Sequence, residues 1–305
     1  GALGKGVRLA ILETRSLRFA YPDGTEALRG VDLVVEEGSF LAVLGPNGSG
    51  KTTLFHHLNG LLRPSSGEVL LRGESLAKLS PLVVHSTVGL VFQDPESQLF
   101  APTVAEDVAF GPRNLNLPRA EVQRRVEEAL ERLGIASVAH KRVHSLSFGQ
   151  KKRAAIAGVL AMRPAVMILD EPTAGLDPVG AEQLMDLLAA LNRSLGMTIL
   201  LGTHDVDVVP AYAGDVVVLK QGEVLASGPP RAVFSRPDVV ESARLRLPYV
   251  AQLVQAVRQR RGEAQAELPL TVPEAVEELV SLLSSAAIGP ESERRDRPTV
   301  APSSW

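Results

Sequence analysis

A chain of 305 residues is long for one domain and short for two full ones, so one large domain with an appendage is expected. A formal charge of −3 makes nucleic acid or an anionic membrane a poor main partner, and the absence of cysteine excludes disulfides and thiolate metal sites while agreeing with a reducing compartment. No apolar run reaches the about 18 residues needed to span a bilayer: residues 206–219 are broken by Asp207, Pro210 and Asp215, and no cationic segment with an apolar core opens the chain. The expectation is a soluble protein that meets a membrane only through partners. The opening Gly1-Ala2-Leu3-Gly4 lacks an initiator Met and reads as an added remnant.

In chain order, residues 10–19 and 31–35 predict strands, with a Tyr21-Pro22-Asp23-Gly24 turn between them. Residues 40–44 predict a short buried strand. It runs into Gly45-Pro46-Asn47-Gly48-Ser49-Gly50-Lys51-Thr52, after which Thr53 and the residues following open a helix. Strand, G-x-x-x-x-G-K-[ST] loop and helix together make a P-loop. Its glycines let the backbone curl so that successive N–H groups face phosphate oxygens. The helix N-terminus adds its dipole, Lys51 neutralises the β- and γ-phosphates, and the Thr52 hydroxyl can ligate Mg²⁺. A chance glycine-rich turn would not bring the strand, the Lys and the Thr with it. The loop predicts binding of a nucleoside triphosphate.

Residues 67–71 and 88–92 predict further strands. Between about 103 and 162 the character changes. Residues 119–133 repeat Val122, Val126, Leu130 and Leu133 at helical spacing, and 149–162 form a second helix with Lys151, Lys152 and Arg153 in its first turns. This is a helical subdomain inserted into an α/β core. The core resumes with strand 165–169, helix 178–195, strand 197–201, a short helix 205–212, and a hairpin of 216–220 and 223–227 around Gln221-Gly222. Such alternation implies a largely parallel sheet with helices on both faces. From Pro230 the strands stop. Residues 248–261 and 273–283 predict helices, and 289–305 a polar, disordered tail.

The apolar run 166–169 ends in Asp170-Glu171. Strand side chains alternate, so one carboxylate can hold Mg²⁺ while the other accepts a proton from the attacking water. A capped strand end is the common alternative, which the nearby P-loop outweighs. Leu146-Ser147-Phe148-Gly149-Gln150 precedes a basic helix start. Ser147 there reads as an N-cap and Gly149 leaves N–H groups open to an anion. Gln93 after a strand, His204 after another and Tyr21 in a turn are each unremarkable singly. They could reach Mg²⁺ or water, a γ-phosphate, and an adenine ring respectively.

Taken together, these residues resemble the ATP-binding subunits of ABC transporters over about residues 9–227. Tyr21 matches the A-loop aromatic, Gly45, Pro46, Asn47, Gly48, Ser49, Gly50, Lys51 and Thr52 the Walker A motif, and Gln93 the Q-loop. Residues 146–150 match the signature motif, 166–171 Walker B, Ala174-Gly175-Leu176-Asp177 the D-loop, and His204 the H-loop. The resemblance implies an α/β P-loop NTPase fold, the ABC ATPase core, with an N-terminal antiparallel β-region, the helical subdomain and a C-terminal helical extension. It divides the chain into a nucleotide-binding domain at 9–229, the extension at 230–290 and the tail at 291–305. The implied catalytic residues are Glu171, His204 and Gln93. ATP would be held by Tyr21, the Walker A residues, Thr53 and, from a second subunit, Ser147, Gly149 and Gln150; Mg²⁺ would be held by Thr52, Gln93 and Asp170. Phe148 departs from the usual signature Gly, so its ring must point away from the nucleotide.

A finer resemblance, in residues 93–104, 106–112 and 150–158, is to the energy-coupling-factor branch, importers of vitamins and of cobalt or nickel ions. The run 146–153 leans to the cobalt/nickel members, with vitamin uptake the alternative. The resemblance implies a homodimer of ATPase subunits, a transmembrane coupling protein docked at Leu99-Phe100, and a membrane substrate-binding component. It places the protein at the cytoplasmic face of the cell membrane and assigns it no nucleic acid. A soluble ABC ATPase working on nucleic acid or ribosomes is the rival; such proteins usually carry a long coiled coil or tandem cassettes, which this chain lacks. A non-hydrolysing regulatory cassette disagrees with the intact Glu171 and His204. His56, His57, His85, His140 and His144 are read as non-metal residues, since no acidic or thiol cluster completes a ligand set.

Overall fold

The structure, a computed structural model, describes residues 9–262 and 267–286; the expected tail lies outside them. The chain divides into two compact units between Leu247 and Pro248.

The first unit opens with antiparallel strands β1 (Ala10–Ala20) and β2 (Glu26–Glu36). β2 starts earlier than the expected 31 and alternates: Leu28, Val31, Leu33 and Val35 are buried and the residues between them are mostly exposed. β3 (Phe40–Leu44) is buried throughout and leads to α1 (Lys51–Leu58). β4 (Ser66–Leu71) and β5 (Glu74–Ser75) follow, then α2 (Pro81–Thr87) and β6 (Val88–Val91). The helical subdomain contains α3 (Val104–Asn114), α4 (Arg119–Arg132) and α5 (Phe148–Leu160), each packed on the other two. Thr103 and Glu106 cap α3 reciprocally. The core resumes with β7 (Val166–Asp170), α6 (Pro178–Leu195), β8 (Thr198–Thr203), α7 (Val209–Tyr212), β9 (Asp215–Lys220) and β10 (Glu223–Gly228).

Among the described residues the strands form a four-stranded antiparallel sheet, β2-β1-β4-β5, and a six-stranded sheet, β10-β9-β3-β8-β7-β6. The second is parallel except for the β9–β10 hairpin. Its central strands are buried along their whole length, as parallel strands covered on both faces must be. One apolar core joins the sheets, with Leu12, Leu17 and Val31 from the first, Val43, Ile168 and Leu200 from the second, and Leu54, Phe55 and Leu58 of α1.

Helix α7 starts at Val209, later than the expected 205. Thr203 Oγ1 accepts the Asp205 N–H at 3.0 Å, and Asp205 Oδ1 accepts the Asp207 N–H at 3.0 Å. These side-chain acceptors hold 203–207 in turns that compete with helix. Two short helices, α8 (Pro230–Phe234) and α9 (Pro237–Ser242), belong to the first unit and bury Val233, Phe234 and Val239. The stretch 230–247, expected in the extension, thus lies in the first unit.

The second unit pairs α10 (Tyr249–Arg261) with α11 (Val272–Ala286). Arg258 and Glu278 form an ion pair between them. The sequence pattern places Val250, Leu253, Val254 and Val257 on one apolar stripe of α10. Here Val254 and Ala251 are buried, while Leu253 is exposed. Helix α11 exposes Val272, Val276, Val280 and Leu283, a line at helical spacing. No helix among the described residues is long and apolar enough to cross a membrane.

Candidate active site

Strands β3, β8 and β7 are parallel neighbours, so their C-terminal ends share one edge of the sheet. That edge is where open α/β sheets bind ligands. β3 delivers the Gly-rich loop, β7 delivers Asp170 and Glu171, and β8 leads to His204. Register across the sheet, rather than nearness in sequence, brings these residues together.

The loop ends at Gly50, which has φ +106° and offers α1 no side-chain cap. A Cβ there would stand 2.7 Å from the Ala27 carbonyl oxygen, so this position requires Gly. The first N–H groups of α1 have no intrahelical acceptors. Ser49 Oγ is buried in the same loop without a hydrogen-bond partner. Lys51 is buried, and its Nζ donates to the Gly45 carbonyl at 2.7 Å while lying 3.9 Å from Glu171 Oε1. Burial lowers the Lys51 pKa, and the Glu171 and Asp170 carboxylates oppose that shift. The Thr52 hydroxyl donates to Asp170 Oδ2. Thr53 Oγ1 and the Tyr21 hydroxyl lie 3.0 Å apart. The Tyr21 ring stands edge-on to Phe19 with centroids 4.9 Å apart, which leaves it partly exposed beside the loop.

Glu171 has φ +47°, a left-handed conformation that costs a non-Gly residue about 1–3 kcal/mol. Several contacts hold it there. Its N–H donates to the Gly202 carbonyl at 2.8 Å, its carbonyl accepts from Lys152 Nζ at 3.2 Å, and its Oε1 accepts from His204 Nδ1 at 3.0 Å. The carboxylate is buried, whereas the His204 side chain is largely exposed. The arrangement sets a carboxylate, a lysine and a helix N-terminus around one small volume, as phosphoryl chemistry requires.

The other expected site residues are placed elsewhere in the unit. Ser147 caps α5: its Oγ accepts the Gln150 N–H at 3.3 Å, and Gln150 Oε1 accepts the Ser147 N–H at 3.1 Å. Ser147 and Phe148 are exposed, so this helix start is open to a second molecule. The Phe148 ring lies on Gly175, whose added Cβ would sit 2.7 Å from Phe148 Cε1. Gly175 also has φ +78°. Gly175→Ala is therefore expected to lower stability by roughly 1 kcal/mol or more, about 2–4 °C in thermal midpoint. Adding Phe148→Gly should recover part of that loss, because only the backbone cost then remains. Differential scanning calorimetry of the two variants checks both statements.

Gln93 is exposed and its carbonyl accepts from Lys152 Nζ at 2.6 Å. Leu99 and Phe100, expected together at the surface, separate: Leu99 is buried, and Phe100 is 65% exposed. The Leu99 N–H closes a turn onto the Pro95 carbonyl at 3.0 Å. The Asp107 carboxylate accepts the Phe100 and Ala101 N–H groups at 2.9 and 2.8 Å, which fixes Phe100 outward against Phe110. Lys152 is the residue that sequence reading passed over. It is fully buried and joins the Gln93 and Glu171 carbonyls.

Comparisons with known proteins converge on one family. A family model described as ABC transporter matches residues 28–174. The energy-coupling factor transporter ATP-binding protein EcfA of Methanocaldococcus jannaschii is 52% identical over 275 residues, covering 90% of this chain and 98% of that protein. The EcfA of Methanosphaera stadtmanae is 50% identical over 276 residues, covering 90% and 99%. The solved structure of cbiO1 from Clostridium perfringens, described as part of the ABC transporter complex cbiONQ, matches with a TM-score of 0.70 at 46% identity, covering 81% of this chain and 99% of that one. The dimeric cassette MJ0796, in a post-hydrolysis state bound to ADP and Pi, matches with a TM-score of 0.65 at 30% identity, covering 72% and 99%.

Proposed function

We propose, for a chain that belongs to the ABC transporter family and within it to the ATP-binding subunits of energy-coupling-factor transporters, that its ATPase powers import of a cobalt or nickel ion. The observation that supports the catalytic assignment is the convergence of Lys51, Thr52, Asp170, Glu171 and His204 at one sheet edge. In this reading ATP phosphates take the open N–H groups of α1, and Lys51 exchanges the Gly45 carbonyl for β- and γ-phosphate oxygens. Tyr21 stacks on the adenine, and Thr53 supports it through the hydroxyl contact. Thr52 Oγ1 and Asp170 Oδ2 already meet, hard oxygen donors of the kind that Mg²⁺ takes beside water and phosphate, with Gln93 as a further ligand. Bound there, Mg²⁺ would neutralise charge between the β- and γ-phosphates. Glu171 takes a proton from water as its oxygen attacks the γ-phosphorus; the bond to the bridging oxygen breaks and ADP and phosphate leave. His204 keeps the Glu171 carboxylate aimed.

The exposed Ser147 and the half-buried Gly149 and Gln150 complete the site of a second copy in this reading, so that ATP joins two subunits. Calorimetry and turnover assays with Mg²⁺ test ATP use. Uptake of radiolabelled cobalt after reconstitution with the co-purified membrane components tests the cargo. Uptake of a vitamin instead would move the assignment within the same branch, and bound RNA would support the soluble alternative. Residues 9–229 form the proposed nucleotide-binding domain, with α8 and α9 packed beside it. A chain ending at Leu247 is expected to keep ATP affinity within about twofold, because all the proposed site residues precede Pro230. Its pairing should weaken, since α11 carries the exposed Val272, Val276, Val280 and Leu283. Calorimetry and light scattering of the truncated protein measure the two effects.

The transmembrane coupling protein is proposed to dock in a groove of about 560 Å³ that includes Leu61, Leu82, Phe92, Phe100, Phe110 and Met162. Changing Phe100 and Phe110 together to Ser is expected to preserve basal ATPase and the circular dichroism spectrum. Assembly with the membrane protein and uptake should fall together. A double variant that assembles normally would put the docking surface elsewhere.

A further inference from the structure

Lysine is almost never fully buried without partners, yet the Lys152 side chain is wholly inside the protein. It sits one turn after Phe148 on α5, the helix that Ser147 caps. Its Nζ donates to two backbone carbonyls from different segments, Gln93 at 2.6 Å and Glu171 at 3.2 Å. The Phe148 ring centroid lies 5.6 Å from the same Nζ, within cation–π range. The neighbouring Lys151 pairs with Glu96, and Gln98 Nε2 donates to the Ala155 carbonyl at 3.3 Å. Helix α5 thus grips the segment 93–98 at several points, and one of those grips also reaches the end of β7.

The Glu171 contact has a particular geometry. This residue is in the left-handed region, and its peptide groups are held on both sides: the N–H by Gly202 and the carbonyl by Lys152. The carbonyl also accepts the Ala174 N–H at 3.1 Å, a turn contact from its own loop. Without the Lys152 anchor, only that local turn resists on this side a return to negative φ, the region that L-residues favour. Such a return rotates the Cα–Cβ direction and carries the carboxylate away from Lys51 and His204.

We propose that Lys152 is a positioning residue for hydrolysis: by joining the Gln93 and Glu171 carbonyls it sets the Glu171 carboxylate and ties that setting to the helix bearing Ser147. The proposal rests on Glu171 being the base. It gives the ordinary buried lysine a task in the reaction cycle, because any shift of α5 caused by a molecule at Ser147 is felt at the Glu171 backbone.

The test uses the full chain with Mg²⁺ and ATP. Lys152→Met keeps length and apolar bulk but removes the donor. It is expected to lower kcat about tenfold or more, the rate equivalent of one lost charged hydrogen bond together with misplacement of the base. ATP affinity by calorimetry should stay within about twofold, since no Walker A group is touched. Lys152→Gln retains an N–H donor of shorter reach and should turn over faster than Lys152→Met. The proposal is overturned if Lys152→Met keeps kcat within twofold of the unsubstituted chain, if affinity falls in proportion to kcat, or if Lys152→Gln is no faster. Should Lys152→Met fail to give a folded circular dichroism spectrum, Lys152→Gln is judged by the same kcat-against-affinity split. Failure of both to fold assigns Lys152 to the core alone. Glu171→Gln run alongside separates the two levels: if it hydrolyses normally, the base assignment fails; if it is inactive while Lys152→Met is normal, only the role of Lys152 fails.

Discussion

Glu171→Gln should cut ATP hydrolysis by about two orders of magnitude or more, the scale of a lost general base, while leaving ATP binding largely intact. The amide is nearly isosteric, and its oxygen can still accept from His204 Nδ1 as Glu171 Oε1 does at 3.0 Å. What it cannot do is take a proton from the attacking water. The substitution also removes the negative charge 3.9 Å from Lys51 Nζ. Lys51 then faces the phosphates with less internal competition, so affinity should hold or rise. With hydrolysis blocked, a molecule that ATP joins to a second copy has no route to release. The variant should therefore accumulate as an ATP-bound dimer, visible as a doubled mass by size-exclusion light scattering when ATP is present and absent without it. Turnover near the unsubstituted rate would move the base to another residue, and a monomer with bound ATP would detach Ser147 from the partner's site.

The parts of this site legible in the sequence are those whose chemistry is local. Strand, loop and helix around Gly45–Thr52 form one continuous segment, and each residue type there has a reason at its own position. Asp170 and Glu171 announced themselves by ending an apolar run. What the chain order does not contain is the adjacency of β3, β8 and β7, on which the meeting of Lys51, Glu171 and His204 depends. Helix α2 was missed although Ser80-Pro81 is an N-cap followed by proline at the first helical position, and Ser80 Oγ does accept the Val83 N–H. Lys152 had a signal too. It falls one turn from Phe148 and one turn from Ile156, on the stripe that Ala155 and Val159 continue inward. A charge on the apolar face of a helix is the informative exception, and reading 151–153 as one basic run concealed it. Leu99 and Phe100 could not be told apart by composition. Their opposite fates are decided by a turn onto Pro95 and by the Asp107 carboxylate, which arrives from α3.

Lys51→Ala is expected to act at the other step and to abolish nucleotide binding rather than turnover alone. The ammonium is the fixed cation of the loop, and two charge-assisted hydrogen bonds to phosphate at about 1.5–3 kcal/mol each correspond to roughly 100-fold or more in affinity. The surroundings enlarge the loss. Lys51 is buried, which lowers its pKa, and the Glu171 carboxylate 3.9 Å away and the nearby Asp170 carboxylate oppose that shift. Removing the cation leaves those two acidic groups uncompensated at the place where a polyphosphate must arrive, and like charges at that range repel it. The Gly45 carbonyl, which now accepts from Nζ at 2.7 Å, loses its donor as well, so the loop itself becomes less well ordered. Calorimetric titration with ATP reads the effect directly, and circular dichroism confirms that the protein remains folded. Comparison with Glu171→Gln makes the pair diagnostic, because one variant should bind without turning over and the other should do neither. A folded Lys51→Ala protein with unchanged affinity would place the triphosphate away from this loop and with it the whole catalytic assignment.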